Sequence, residues 1–162
     1  MKGARIIALG FCSCREDDGK CCAPKEVCLA VNDYAEEFIK KEFKREVTLE
    51  KALAILKEIY DAGLVLVTYY HENDILPFLI CACCCHFLGE AIRTGKTDFV
   101  EPSRFIISFN KQLCIVCGAC VDRCHFKVFS LEQKELKINF DRCFGCGLCI
   151  NNCPTEALSF IT

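Results

Sequence analysis

Cys114, Cys117, Cys120 and Cys124, then Cys143, Cys146, Cys149 and Cys153, spell C-x2-C-x2-C-x3-C twice within about forty residues; the second copy closes with Pro154. A two-residue spacing lets three thiolates curl around one iron–sulfur cube, and the fourth, remote cysteine of such a run reaches across to ligate the other cube. Eight thiolates in this interleaved order predict two [4Fe–4S] clusters, and hence a path for electrons.

The chain holds 17 cysteines, so nine lie outside the repeat: Cys12, Cys14, Cys21, Cys22, Cys28, Cys81, Cys83, Cys84 and Cys85. Free cysteines occur as small buried apolar residues. Nine in two tight groups fit that role poorly, because each thiol is an oxidation liability. Cys12-x-Cys14, with Cys21 and Cys28 downstream, supplies four soft ligands on an irregular loop. Cys81-x-Cys83-Cys84-Cys85 supplies more from a strand-to-helix turn. These eight residues form an expected additional metal site. Soft thiolates select zinc or iron–sulfur clusters, and a chain already built for iron–sulfur favours a further cluster. A tetrathiolate zinc ion and a metal-free redox thiol or disulfide arrangement are the alternatives. Two C-x3-C-H stretches, ending at His86 and His125, are one residue too long for covalent haem attachment. His86 reads as a surface residue more readily than as a ligand, and His71 as a solvated loop residue.

A chain of 162 residues accommodates one ordinary domain or two small ones. A net charge of −2 offers no electrostatic case for nucleic acid or an acidic membrane surface. Cysteine in C-x-x-C and adjacent runs, in odd number, points to a reducing cytoplasm and metal ligation rather than a disulfide scaffold. The start, from Met1 to Cys12, superficially resembles a lipoprotein signal. Its apolar stretch falls short of the roughly 7–15 residues an h-region needs, and Phe11 stands where a small residue would precede the cysteine. No segment approaches the roughly 20 apolar residues of a membrane span.

Turn chemistry at Gly95-Lys96-Thr97-Asp98 and Glu101-Pro102-Ser103 divides the chain into a cysteine-rich, mostly helical domain over 1–100 and a two-cluster module over 104–162. In the module, Arg104 to Phe109, Val128 to Leu131, Leu136 to Phe140 and Ala157 to Ile161 read as strands, with a turn at Gln133-Lys134-Glu135. Gly118, Gly145 and Gly147 lie among the ligands, where backbone must approach inorganic sulfur. Ile115, Val116, Phe144 and Leu148 limit solvent access to the clusters. In the first domain, Cys28 to Phe43 has helical spacing through Val31, Ala35, Phe38, Ile39 and Phe43. Thr48 caps a second predicted helix with a stripe of Leu49, Ala52, Leu53, Leu56 and Ile59, ending at Gly63. Leu64 to Tyr70 reads as a strand, Pro77 to Ile80 leads into Cys81, and a short helix follows around Ala91 and Ile92. The expected class is α+β. Helix, Ala62-Gly63, then strand is a pattern shared with winged-helix domains, here without a basic recognition face.

From Cys114 to Pro154 the chain resembles the bacterial-type two-cluster ferredoxins. The resemblance implies two pseudo-symmetric halves around two cubes and low-potential one-electron transfer. By motif position it assigns one cube to Cys114, Cys117, Cys120 and Cys153, and the other to Cys143, Cys146, Cys149 and Cys124. His125 departs from the family, which usually has proline there. The preceding part resembles a family of ferredoxin-domain proteins from anaerobes, through Cys12-Ser13-Cys14-Arg15, Cys21-x2-Pro24-x-Glu26-x-Cys28, Gly63-Leu64-Val65 and the run from Cys81. That family carries a longer cysteine run than Cys81-Ala82-Cys83-Cys84-Cys85-His86.

With no G-x-G-x-x-G loop, P-loop or evident flavin site, the leading reading is a non-enzymatic electron carrier working between redox partner proteins. Arg15, Lys127 and the acidic helix faces are then solvated residues. One rival is a reductase whose N-terminal cluster binds a small substrate and draws electrons from the module. A second is a redox or iron–sulfur sensor.

Overall fold

The computed structural model describes residues 3–19, 21–71, 74–80, 84–86, 88–95 and 100–161. Cys81 and Cys83 of the expected additional site lie outside the described residues. The chain combines helices with small antiparallel sheets, an α+β arrangement, and divides into two compact units between Glu90 and Ala91. That division precedes the turn-rich stretch expected to mark it, because the helix Leu88–Thr94 (α4) spans the change.

In the first unit, β1 (Ile7–Phe11) is the middle strand of a three-stranded sheet, between β2 (Glu26–Val31) and β3 (Arg45–Glu46), with order β2-β1-β3. Side chains alternate across a strand, and both faces of this sheet are apolar. Ile7, Leu9, Val27, Leu29 and Val31 face one way, onto Ala52, Ile55 and Ile59 of α3 (Leu49–Asp61). Ala8 and Ala30 face the other way, onto Ala35, Tyr34, Phe38 and Ile39 of α2 (Asn32–Lys40). The sheet is thus buried between two helices, which is why its strands read as continuous apolar runs rather than alternating ones.

This corrects two expectations. Helical spacing from Cys28 to Phe43 suggested one helix, but Cys28 to Val31 belong to β2 and the helix starts at Asn32. Burial on both sheet faces hid the strand's period of two inside an apparent helical stripe. The first unit is accordingly not mostly helical: among its described residues five strands stand beside the helices, since β4 (Val65–His71) and β5 (Asp74–Ile80) add an antiparallel hairpin. β5 runs beside β2.

α3 begins where Thr48 Oγ1 accepts the Lys51 N–H at 3.2 Å, a cap of the expected kind. Its buried stripe is Ala52, Ile55 and Ile59, whereas Leu53 is exposed. The helix-then-strand pattern of the sequence is therefore α3 leading into the β4-β5 hairpin. Among the described residues, no helix is long and apolar enough to cross a membrane.

The second unit pairs β6 (Ile106–Phe109) with β9 (Leu158–Ile161), and β7 (Phe129–Glu132) with β8 (Glu135–Ile138), both antiparallel. Gln133 and Lys134, at φ 50° and 63°, make the tight turn between β7 and β8, the hairpin geometry that matches strand twist. Two short helices, α5 (Ala119–Arg123) and α6 (Leu148–Asn151), each start at a glycine that follows a C-x2-C pair.

Candidate functional site

The duplicated spacing reappears in the backbone. Asn110 and Asn139 each stand ahead of a short 3-10 turn that ends at the first cysteine of a run. Each side-chain oxygen accepts the N–H two residues on, at 3.0 Å from Gln112 and 3.1 Å from Asp141. Val116 and Gly145 both have left-handed φ, at 55° and 65°. So do Gly118 and Gly147, at 80° and 78°, and Lys127 and Glu156, at 54° and 53°. Each pair holds the same step of its half, and the alternation of hands wraps each loop around a recess. The two glycines at the helix starts also make room. A Cβ on Gly147 would lie 2.5 Å from the Phe160 ring, and one on Gly118 would lie 3.2 Å from Leu131.

Two recesses result. Cys114, Cys117, Cys120 and Cys153 line one, with Phe109, Ile115, Val116, Leu136 and Leu158 among its walls. Cys124, Cys143, Cys146 and Cys149 line another, with Ile107, Phe126, Val128, Phe144 and Leu148. In each recess three sulfurs come from one run and the fourth from the other. The exchange is possible because Cys124 and Cys153 leave their helices in opposite halves, with Asn152 Nδ2 donating to the Ala119 carbonyl at 3.1 Å across the pair.

Burial pushes the Cys149 thiol up to about 12, with Cys146, Cys124 and Cys143 adding like-charge repulsion. It pushes Cys120 up to about 11, with Cys114 and Cys117 contributing. Cys146 is raised by burial and then by Cys124 and Cys143. At Cys153 burial also acts upward, but backbone N–H groups of Thr155, Ala157 and Leu158, with the Thr155 hydroxyl, outweigh it and hold the thiol below its ordinary value. Four thiolates crowded into an apolar recess require a compensating cation. A soft, multivalent iron–sulfur core fits such a donor set, since the walls are sulfur and hydrocarbon. Among the described residues, no three cysteine, histidine or acidic side chains converge as they would around a single ion; the C-terminal sulfurs ring their recesses instead.

The first unit brings together some of the other predicted ligands. Cys21 and Cys84 sulfurs lie 3.5 Å apart, although 63 positions separate them in the chain. Cys12 and Cys21 pack against the α3-side core to which buried Cys84 belongs. Cys14, in the first turn of α1 (Ser13–Asp18), accepts the His86 backbone N–H. Burial raises its pKa, and the neighbouring Cys12 and Cys85 sulfurs raise it further. Cys28 is set apart. It pairs with Gly10 on the opposite sheet face, beneath the Phe43–Lys44 backbone, and Lys44 Nζ donates to its carbonyl at 3.1 Å. Cys22 and His86 are exposed.

Arg15 corrects another expectation. Read as solvated, it is 1% exposed, and its Nη1 donates to the Pro24 carbonyl. It ties the helix bearing Cys14 to the loop that follows Cys21. No spacing rule separates this arginine from a surface one; its place directly after Cys14 was the available signal.

Residues 113–157 match the family described as the 4Fe-4S dicluster domain. That stretch is a ferredoxin-like iron–sulfur domain, and iron–sulfur cluster binding is the chemistry of its cysteines. No curated protein matches the chain.

Proposed function

We propose that this chain is an electron carrier of the cytoplasm, whose C-terminal module binds two [4Fe–4S] clusters. Cys114, Cys117, Cys120 and Cys153 hold one, and Cys143, Cys146, Cys149 and Cys124 the other. The observation that carries the reading is the sorting of eight cysteines into two apolar recesses, each with a remote fourth sulfur. Clusters of this type accept and release single electrons with little rearrangement of their ligands. The chain's own contribution is to fix the sulfurs and exclude water. The apolar walls, from Phe109, Leu136 and Leu158 at one site and Phe126, Phe144 and Leu148 at the other, do the second task. Redox proteins are the partners on this reading, and neither nucleic acid nor a membrane takes part.

The first unit holds a further iron–sulfur site on the same reading. Its sulfur donors are drawn from Cys12, Cys14, Cys21, Cys84 and Cys85, together with Cys81 and Cys83. The grouping of the first five around one edge of the core supports this. A thiolate-bound zinc ion is the alternative occupant. Fusion of such a unit to a two-cluster module is the arrangement of the ferredoxin-domain proteins from anaerobes that the sequence resembles.

The test is reductive titration of anaerobically purified chain, followed by mixing with an oxidised one-electron acceptor protein. The expected result is reversible uptake of one electron per C-terminal cluster and its return to the acceptor. Iron that cannot be reduced and reoxidised without loss from the protein would contradict the proposal.

A further inference from the structure

The two halves agree in backbone conformation but not in covering. A strap, Ser103 to Phe105, is pressed onto the Cys143–Cys146 loop. The Ser103 N–H donates to the Phe144 carbonyl at 3.0 Å, and its hydroxyl donates to the Gly145 carbonyl at 3.1 Å. The same hydroxyl accepts the Phe105 N–H at 3.1 Å, which locks the strap's own turn. The approach is so close that a Cβ on Gly145 would collide with the Phe105 carbonyl oxygen. The Phe105 ring continues the cover by packing on Phe160, 5.2 Å away, over Gly147.

Among the described residues, none lays a matching strap on the corresponding loop of the first half. Leu113 is 47%, Ile115 63% and Val116 37% exposed, and Cys117 is exposed where its counterpart Cys146 is partly buried. Topology explains the difference. The strand preceding the first run, β6, pairs with distant β9, so the chain ahead of it is free to cross the second loop. The strand preceding the second run, β8, closes a tight turn with β7 at Gln133-Lys134, so the segment ahead of that run has no spare length to lay over the first loop.

Resting on the two-cluster reading, we propose that the Ser103–Phe105 strap makes the two sites unequal. The strapped site, on Cys143, Cys146, Cys149 and Cys124, has the lower reduction potential, and electrons enter and leave through the bare Leu113–Cys117 loop. Adding an electron makes a thiolate-ligated cluster more negative, and excluding water disfavours that state. Hydrogen bonds to sulfur do not reverse the order: in the strapped site Cys143 faces the Gly145 N–H at 3.4 Å and Cys146 takes the Leu148 N–H, while in the bare site Cys153 alone takes the N–H groups of Thr155, Ala157 and Leu158 besides the Thr155 hydroxyl at 3.8 Å. The step moves one electron from an outside one-electron donor to the exposed site. The donor is oxidised by one as the site is reduced by one, and no bond is made or broken. Ile115 and Val116 both wall the recess and face outward, so a donor resting on them stands one side chain from the sulfurs.

The experiment is a potentiometric titration of the full, cluster-loaded chain, followed by electron paramagnetic resonance with reduced viologen as the donor. Two resolved midpoints are expected from the C-terminal module, apart from any signal of the first unit. In the double variant Ser103→Ala, Phe105→Ala the lower midpoint rises by at least a tenfold change in the reduction equilibrium, about 59 mV for one electron, and the upper one stays. An unmoved lower midpoint, or equal movement of both, would overturn the proposal. Should that variant fail to load, the wild-type chain still decides. A soluble paramagnet must relax the first-reduced signal more strongly than the second, and the opposite order sinks the idea. An iron content short of about eight per chain would instead overturn the two-cluster reading itself.

Discussion

Val116 and Gly145 occupy the same step of the two halves, with φ of 55° and 65°, yet one is β-branched and the other has no side chain. Glycine is required at the second position because the Phe105 carbonyl fills the space of a Cβ. The first has no strap above it, so valine is tolerated there at the expense of backbone strain. Left-handed conformation costs an L-residue roughly 1–2 kcal/mol, and a glycine's extra freedom when unfolded returns about 0.5–1. Val116→Gly is therefore expected to leave the loaded module as stable or up to about 1.5 kcal/mol more stable. Gly145→Ala is expected to cost about 1–3 kcal/mol or more, by overpacking against the strap. Denaturant midpoints followed by loss of cluster absorbance measure both; equal effects would show that the halves are not distinguished by the strap.

Separation of Cys28 from the other first-unit cysteines gives a second expectation. Cys28→Ser should leave the metal content of the N-terminal site unchanged, because this residue lies on the α2 side of the sheet. Cys21→Ser and Cys14→Ser should each lower it. Elemental analysis of iron and zinc across the three variants checks this, and a loss confined to Cys28→Ser would refute the placement.

Loading should depend on pH. Burial raises the Cys149 thiol to about 12 and the Cys120 thiol to about 11, against 9.0 for an ordinary thiol. Raised folded values mean that these thiols add to the stability of the fold below the ordinary value of 9.0, and that this contribution is lost as pH rises through the raised values. Ligation needs thiolates, so binding releases protons and grows more favourable with rising pH. Anaerobic reconstitution at pH 7 and pH 8.5 should go further at the higher value. Loading that is flat or falls with pH would contradict ligation by thiolates that are protonated before binding.

What the sequence reveals follows how local each feature is. Ligand spacing around a cube is a matter of a few residues, so spacing alone sorts the eight C-terminal cysteines into the same two groups that line the two recesses. The covering strap is not, because Ser103 meets Gly145 only through a long-range crossing. In the first unit β2 is masked by burial on both faces, and the side of the sheet taken by Cys28 is defined only by the pairing of β1 with β2. Arg15 reads as a surface residue because arginines seldom bury completely without a partner. Its link to the Pro24 carbonyl depends on how the intervening loop folds back.

Iron and acid-labile sulfide per chain test the central claim most directly. The measurement is made on anaerobically purified protein and on a Cys14→Ser, Cys21→Ser, Cys85→Ser variant, which removes the contribution of the first unit. Two clusters in the C-terminal module require about eight irons and about eight sulfides to persist in the variant. About four of each, or iron without sulfide, would contradict the account.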